Sequence, residues 1–467
     1  MAEQVDVAII GAGTAGLYAM SLVRQKTKNF VLIDQGPLGT TCARVGCMPS
    51  KALIQTADDY HLAKRLVREG LISEPPAMES AAGPGFARKI REMLSSKISE
   101  RVSGNLGEKL IQDRARFVAK DTIEVAGRTI QAKAIILATG SESVMPAPWK
   151  AFGDRVIDSE GLFNLEQMPK SMAVLGLGAI GLELGQAIST LGVDVTGFDL
   201  ADTVAMIQDP KVRDMALEQF GKQFPIHLGH GAELAEGSDG KIKVTAGDVT
   251  AQVEKVLVSL GRKPRLADMG LAEIGLELDA RGVPKFDTET TKVEGAPIYI
   301  AGDCNGDRVI FHEAADEGKM AAFNVLRETP QRFKRKSPLG IVFTDPNIAS
   351  FGISHDEAVA CGAEMAEATI HTESRAKVIG IEAGMVRLYA DKRDGRLLGG
   401  ALLSPRGEHI AHTLIWAVQG GLTVHELATM PYYHPNLEEA LFSVTSALSK
   451  SCDGGYEGMP PGLIPAE

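Results

Sequence analysis

Five cysteines in 467 residues are too few for a disulfide scaffold. Basic residues are outnumbered by acidic ones, 49 to 60, and the net charge of −11 argues against a nucleic-acid partner and an anionic membrane surface. Long apolar runs are also missing. Segments such as Ala134–Ala138 are far shorter than a membrane span requires. The chain enters a strand almost at once, at Val5–Ile10, so no signal peptide is expected. A cytoplasmic protein with no membrane or nucleic-acid partner is therefore expected. Glycine, by contrast, is abundant: 50 residues, suited to many tight strand-to-helix turns. With 44% hydrophobic residues and a length typical of about three domains, the chain reads as a multi-domain α/β protein.

Two segments repeat one pattern. Val7-Ala8-Ile9-Ile10 is a short apolar strand, followed by Gly11-Ala12-Gly13-Thr14-Ala15-Gly16 and a helix to about Arg24. A second strand, Phe30–Ile33, ends at Asp34. Gly11 permits the sharp turn, Gly13 allows backbone to approach a pyrophosphate, and Gly16 lets helix and strand pack closely; Asp34 is placed to accept a ribose hydroxyl. Later, Ser171–Leu175 leads into Gly176-Leu177-Gly178-Ala179-Ile180-Gly181, a helix to about Leu191, and a strand Asp194–Phe198 ending at Asp199. Asp34 lies 23 residues after Gly11, and Asp199 lies 23 after Gly176. Glycine turns without a ligand would leave the matched acids unexplained, so two dinucleotide sites are expected, one for a flavin and one for a nicotinamide. Asp199 would bind a 2′-hydroxyl and repel a 2′-phosphate, and Leu200–Met206 carry no Arg or Lys, which favours NAD over NADP.

Cys42 and Cys47 lie five positions apart in Gly39-Thr40-Thr41-Cys42-Ala43-Arg44-Val45-Gly46-Cys47-Met48-Pro49-Ser50-Lys51, directly after the first unit. A pair this close can form a disulfide across a tight loop, and a helix starting beside Cys47 would favour its thiolate. Half a zinc site and a structural staple are the plainer readings. Zinc wants four ligands at matched spacing, whereas Cys304, Cys361 and Cys452 are isolated, so no metal site is expected. A staple suits a secreted chain. A redox pair is favoured, and its position assigns the flavin to the first glycine site.

These motifs, in this order, resemble the pyridine-nucleotide disulfide oxidoreductases, most closely the lipoamide dehydrogenases, over nearly the whole chain. Ala138-Thr139-Gly140-Ser141 is similar to the segment where the chain leaves the FAD domain, and Gly261-Arg262-Lys263-Pro264 to the turn that leaves the NAD domain. Ile300-Ala301-Gly302-Asp303 resembles the second FAD strand, His312–Gly318 the helix after it, and Val342-Phe343-Thr344-Asp345-Pro346 the start of a dimerisation domain. The resemblance implies two Rossmann-like domains and a C-terminal α+β dimerisation domain. FAD would bind within 1–147 and 276–340, NAD within 148–275, and residues 341–467 would form the interface. It further implies FAD contacts from Thr14, Thr41, Lys51, Ala115, Thr139, Gly140, Ser141, Asp303 and His312, and NAD contacts from Ile180, Glu183 and Gly261.

The implied chemistry is oxidation of a dihydrolipoyl group with hydride transfer to NAD⁺. Cys42 is then the interchange thiol and Cys47 the thiol against the flavin. Lys51 would pair with Glu183 near the flavin. In Tyr433-His434-Pro435-Asn436-Leu437-Glu438-Glu439, which resembles the family's HPTxxE segment, His434 would be the base and Glu439 its orienting acid, about one turn into a helix starting near Pro435. In the family this dyad serves the disulfide of a second subunit, which makes a homodimer the active unit. Several positions depart from the family pattern: Tyr432 for His, Asn436 for Thr, Arg44 for Asn, Thr40 for Gly, and aspartate for glutamate at Asp34 and Asp199. No reacting group is lost, so they bear on the substrate more than on the reaction type. An NADH-driven reductase of another disulfide, quinone or metal ion is the alternative within the family, and a non-catalytic nucleotide-binding protein the alternative outside it. Ser73–Gly85 reads as a loop before helices at about 86–111, and the tail after Leu448 as loose.

Overall fold

The computed structural model describes residues 2–455, 459–460, 462–464 and 466. In the first sheet, Glu3–Ile10 runs parallel between Phe30–Ile33 and Arg128–Leu137, with Val7 beside both Phe30 and Ala134. Val7 and Ile9 pack towards the helices Thr14–Lys26 and Phe311–Asn324, while Ala8 and Ile10 pack under the irregular segment carrying Leu266, Leu271 and Val293. A parallel strand covered on both faces has no polar side to show, which is why Val7–Ile10 reads as an unbroken apolar run. The two helices cross so closely that a Cβ at Gly318 would stand 2.2 Å from the Ala15 carbonyl oxygen.

The chain leaves this sheet after Leu137 and returns at Ile298–Ile300, which pairs with Ile135–Leu137. Between these points lies a second sheet. Ser171–Leu175 runs parallel between Asp194–Phe198 and Lys255–Val258, with Val156–Ile157 and Ile226–His227 at its edges. The ribbon of Ser141–Ser143 with Arg262–Pro264 joins the outgoing and returning chain. The C-terminal unit is an antiparallel sheet in the order Leu339–Val342, Asn347–Gly352, Leu397–Ser404, Met385–Ala390, Glu364–Thr369. The helices Gly407–Gly420 and Glu439–Ser451 bury Ile410, Leu414, Leu441 and Val444 in its core. The architecture is α/β, with two Rossmann-like units and a C-terminal α+β unit. Among the described residues no helix is long and apolar enough to cross a membrane.

Local boundaries differ from the sequence reading in three places. The helix expected near 86 begins at Ala82 and ends at Leu106. Pro84 fits its first turn, where a missing N–H costs nothing, and Gly83 lets it press onto Leu53 and Leu191. The helix expected at Pro435 begins at Glu439, because Asn436 and Glu439 bond reciprocally and hold the intervening residues in a turn. The tail expected to loosen after Leu448 stays helical to Ser451, and buried His425 then grips it: Nδ1 lies 2.8 Å from Ser449 Oγ and Nε2 2.9 Å from the Asp453 carbonyl oxygen. Cys452 is buried there, which pushes its thiol up to about 11. Residues 456–458, 461, 465 and 467 of that tail lie outside the described residues.

Candidate active site

The two glycine loops are built alike. Gly11 has φ +112°, and a Cβ there would stand 2.1 Å from the Ala138 carbonyl oxygen; one on Gly16 would stand 1.8 Å from the carbonyl oxygen of Gly11. Only glycine fits at either position. Gly13 differs: nothing lies within 4 Å of where its Cβ would be. It is the N-cap of Thr14–Lys26 and no side chain caps that helix, so first-turn N–H groups remain free beside an open space. In the second loop, Gly176 (φ +90°) would meet Ser259 O at 2.5 Å and Gly181 would meet Gly176 O at 1.8 Å, while Gly178, the uncapped N-cap of Ala179–Thr190, is open. Thr14 opens the first helix; Ile180 is second in the other and is exposed.

Each acid closes on its own loop. Asp34 Oδ2 accepts from Ala12 N at 2.6 Å and Oδ1 from Gly36 N at 2.7 Å. Asp199 Oδ2 accepts from Leu177 N at 2.5 Å and Oδ1 from Ala201 N at 2.8 Å. Every carboxylate oxygen keeps a lone pair, so each acid can still accept ribose hydroxyls. Two buried hydroxyls beside these loops, Thr139 Oγ1 and Ser259 Oγ, have no hydrogen-bond partner among the described residues. An unpaired buried hydroxyl costs about 1–3 kcal/mol, which a bound phosphate or sugar would relieve. Open space at Gly13 and Gly178, uncapped helix starts, spare carboxylate lone pairs and orphan hydroxyls all fit dinucleotides at both loops. Ser259 was not among the residues singled out from sequence. Extending the repeat would have found it, because Ser259-Leu260-Gly261 follows its strand as Ala138-Thr139-Gly140 follows the other.

Cys42 lies in the short helix Thr41–Arg44 and Cys47 opens the long helix Cys47–Arg68. Both are free thiols, close enough for each to shift the acidity of the other. The proximity splits their acidities. The neighbouring Cys42 thiol lowers exposed Cys47 to about 7, with the Lys51 cation and the backbone assisting against some desolvation. The same proximity, with burial, pushes Cys42 far above the usual thiol range. Lys51 stands one turn along that helix. Its Nζ lies 2.7 Å from Glu183 Oε2 and 4.3 Å from the centre of the Phe343 ring. Glu183, only 7% exposed, also accepts from Phe343 N at 2.7 Å through Oε1. The pair therefore joins all three units of the fold.

A second polar knot sits where the chain crosses between units. Ser141 Oγ donates to Asp303 Oδ2 at 2.7 Å and accepts from Arg262 Nε at 2.8 Å, while Arg262 Nη2 donates to the Ser141 carbonyl oxygen at 2.8 Å. Behind it, buried Glu317 accepts from Gly302 N, Asn305 Nδ2 and Arg335 Nη2, each at 2.7 Å, and so fixes the turn that carries Asp303. Gly140 and Gly261 have left-handed φ values of +71° and +91° with open space around them. Ala115 is buried, Thr41 is half-buried, and His312 is exposed at the start of Phe311–Asn324. Arg44 is drawn away from a free role: it pairs with Glu160 at 3.6 Å.

His434 Nδ1 lies 2.8 Å from Glu439 Oε1, and that contact holds the Glu439 carboxyl below its usual range. The ring thus keeps Nε2 outward, and its side chain is 69% exposed. No hydrogen bond among the described residues links His434 to either thiol of its own chain. Asn436, standing where the family has Thr, caps the helix through Glu439 N at 3.1 Å. Among the described residues no cluster of three or more His, Cys, Asp or Glu could hold a metal ion.

A close dithiol set between two dinucleotide-binding units, with a carboxylate-oriented imidazole on the third, is the equipment of a disulfide oxidoreductase. The family described as pyridine nucleotide-disulphide oxidoreductase matches residues 5–320, and its dimerisation domain matches residues 339–444. The chain belongs to that family. It is 31% identical over 456 residues to the dihydrolipoyl dehydrogenase of Halobacterium salinarum, covering 93% of this chain and 94% of that one. It is 30% identical over 467 residues to the mercuric reductase of Bacillus cereus, covering 96% and 73%. In fold it is similar to the HOCl-induced flavoprotein disulfide reductase RclA from Escherichia coli in its copper(II) complex, at TM-score 0.82 and 23% identity, with 95% and 99% coverage. The chain is accordingly an enzyme of this family, with FAD and NAD(H) as its cofactors.

Proposed function

We propose that this enzyme oxidises dihydrolipoyl groups to the lipoyl disulfide and reduces NAD⁺, with Cys42 and Cys47 as its redox couple and a homodimer as the active unit. The observation that carries the reading is the placement of two free thiols, Cys42 in a short helix and Cys47 at the start of the next, one turn from the Lys51–Glu183 pair at 2.7 Å. In the oxidised enzyme, Cys42 and Cys47 would form a disulfide. A substrate thiolate attacks Cys42 Sγ, the sulfur–sulfur bond breaks, and Cys47 leaves as a thiolate; its lowered pKa makes it the better leaving group. The second substrate thiol then displaces Cys42, releasing the cyclic disulfide. His434, oriented by Glu439 and contributed by a second copy of the chain, takes the proton of the first substrate thiol and passes it to Cys42 as that sulfur leaves. It then takes the proton of the second, so the cycle ends with a Cys42 thiol, a Cys47 thiolate and a protonated His434.

FAD, when bound, supplies the two-electron acceptor that connects the sulfurs to the nicotinamide. Residues 1–147 and 276–340 would hold it. Gly11, Gly13, Thr14, Gly16 and Asp34 would take its adenosine and pyrophosphate side, Thr139 and Gly140 would flank the phosphates, and Asp303 would reach the sugar chain. Thr41, Ala115, Ser141 and His312 would complete the pocket. Residues 148–275 would hold NAD through Gly176, Gly178, Ile180, Gly181, Asp199 and Gly261. Lys51 and Glu183 would steady negative charge on the reduced ring, and 341–467 would form the interface.

The similarity to a mercuric reductase favours a second reading, an NADH-dependent reductase of another disulfide, quinone or metal ion. Steady-state turnover with dihydrolipoamide and NAD⁺, beside NADP⁺, and NADH oxidation with mercuric ion, a quinone and oxidised glutathione, tests both. Dihydrolipoamide oxidation dominating supports the first. Slow dihydrolipoamide turnover beside fast NADH-driven reduction of another acceptor would replace it with the second.

A further inference from the structure

Asp209, which caps the helix Pro210–Gly221, lies ten positions after Asp199, the acid of the second glycine loop. This segment grips the loop at one residue: Leu177 N donates to Asp199 Oδ2, and Leu177 O accepts from Ala205 N at 2.7 Å. Leu177 stands between Gly176 and Gly178, so the position of the segment fixes the position of the open glycine. The segment holds little regular structure of its own. Ala205 and Met206 both take left-handed φ values, +52° and +59°, a costly conformation for residues with a Cβ, which persists only where surroundings impose it.

The far end is held by another unit. Asp209 is 1% exposed; its Oδ1 accepts from Lys211 N at 3.0 Å and Val212 N at 3.3 Å. Its Oδ2 accepts from Tyr389 Oη at 2.6 Å and lies 2.8 Å from Arg387 Nε, both in the C-terminal sheet. The Arg387 Nε–H is not aligned on that oxygen, so the arginine acts as a charge while Tyr389 makes the directed bond. Arg387 Nη1 donates to Glu367 Oε2 at 2.9 Å, and Lys211 pairs with the other Glu367 oxygen. The His355 and Tyr389 rings meet in a T-shaped arrangement, with centres 6.1 Å apart. Two acids face two cations in a charge-balanced joint, with Asp209 and Arg387 buried and Glu367 and Lys211 reaching solvent. Such a joint fixes geometry more than it adds stability, and breaking it from one side leaves an uncompensated charge.

We infer that Asp209, Arg387 and Tyr389 are positioning residues through which the C-terminal sheet holds the rim of the NAD site and sets its affinity. The inference rests on the second glycine loop being the nicotinamide-dinucleotide site. It is tested on FAD-loaded enzyme by titrating oxidised protein with NAD⁺ in a calorimeter, by separating KM for NAD⁺ from kcat, and by following flavin reduction by dihydrolipoamide without NAD⁺. Tyr389→Phe should weaken NAD⁺ binding about fivefold and Arg387→Gln more than about tenfold, with Arg387→Lys recovering part of the loss. Flavin reduction by dihydrolipoamide should stay at the parent rate in all three. NAD⁺ affinity within about twofold of the parent in Tyr389→Phe, beside a lowered melting temperature, would make the cluster a structural strut and overturn the inference. Equal losses in both half-reactions would overturn it too. If Arg387→Gln does not fold, Tyr389→Phe decides alone. Gly178→Val is the control: if it binds NAD⁺ like the parent, the site assignment itself fails and takes the clamp with it.

Discussion

Replacing Gly13 by alanine separates folding from flavin binding. Gly13 has φ −77° and ψ −170°, extended backbone that alanine adopts without strain, and its Cβ would meet nothing within 4 Å. Losing glycine's freedom in the unfolded chain favours the fold by about 0.4–1 kcal/mol, and alanine is worse than glycine at an N-cap by a similar amount. The flavin-free variant should therefore melt within a few degrees of the parent, since about 1 kcal/mol moves a domain of this kind by about 2–4 °C. The methyl group, however, fills the space beside the uncapped helix start that a pyrophosphate would need. Pushing a phosphate off one charge-assisted N–H bond costs about 1.5–3 kcal/mol, roughly a tenfold to hundredfold loss of FAD affinity. Gly16→Ala provides the contrast, because its Cβ would lie 1.8 Å from a backbone oxygen and must distort the fold. Thermal melting of stripped protein, with fluorescence titration of FAD, reads both quantities. A Gly13→Ala protein that binds FAD as tightly as the parent, or that fails to fold, refutes this account of the loop.

Three further outcomes follow from the site. Because a thiol with a lowered pKa gains reactivity as pH rises through that value, alkylation of reduced enzyme at Cys47 by iodoacetamide should rise with a midpoint near pH 7. Lys51→Met should move that midpoint upward, since a cation favours the thiolate; an unmoved midpoint removes Lys51 from the electrostatics of the pair. His434→Ala should keep flavin and both thiols but lose about a hundredfold or more of dihydrolipoamide turnover, the range of general-base contributions; near-parent turnover would remove His434 from the mechanism. Asp199→Ala should narrow the preference for NAD⁺ over NADP⁺, measured as the ratio of kcat/KM values, and an unchanged ratio would show that discrimination arises elsewhere.

Much of the fold could be read because burial on both faces writes parallel strands as short apolar runs. Phe30–Ile33 and Ser171–Leu175 occupy the spans that such runs mark, and Asp194–Phe198, which is less apolar, the span that the repeated pattern marks. The matched 23-residue intervals reflect two copies of one strand–helix–strand geometry, each acid returning to the N–H after its first glycine. Helix ends were less legible. The reciprocal Asn436–Glu439 bonds and the grip of His425 on Asp453 depend on side chains meeting after folding. The Asp209–Tyr389 contact spans 180 residues, and Arg387 lies in a strand whose six residues are all buried, where alternation gives no sign of a charge. Arg44 could have been a free cation near the thiols, and only the fold reveals Glu160 opposite it.

The proposed function places Cys42 and Cys47 between dihydrolipoyl groups and NAD⁺. Its most direct measurement is a single-turnover experiment without oxygen, in which FAD-loaded enzyme is mixed with dihydrolipoamide and then with NAD⁺, and NADH is counted per active site. About one NADH per flavin from the parent, with none from Cys42→Ser although that variant still binds FAD and NAD⁺, is the predicted result. NADH formed by Cys42→Ser at the parent rate would contradict the claim.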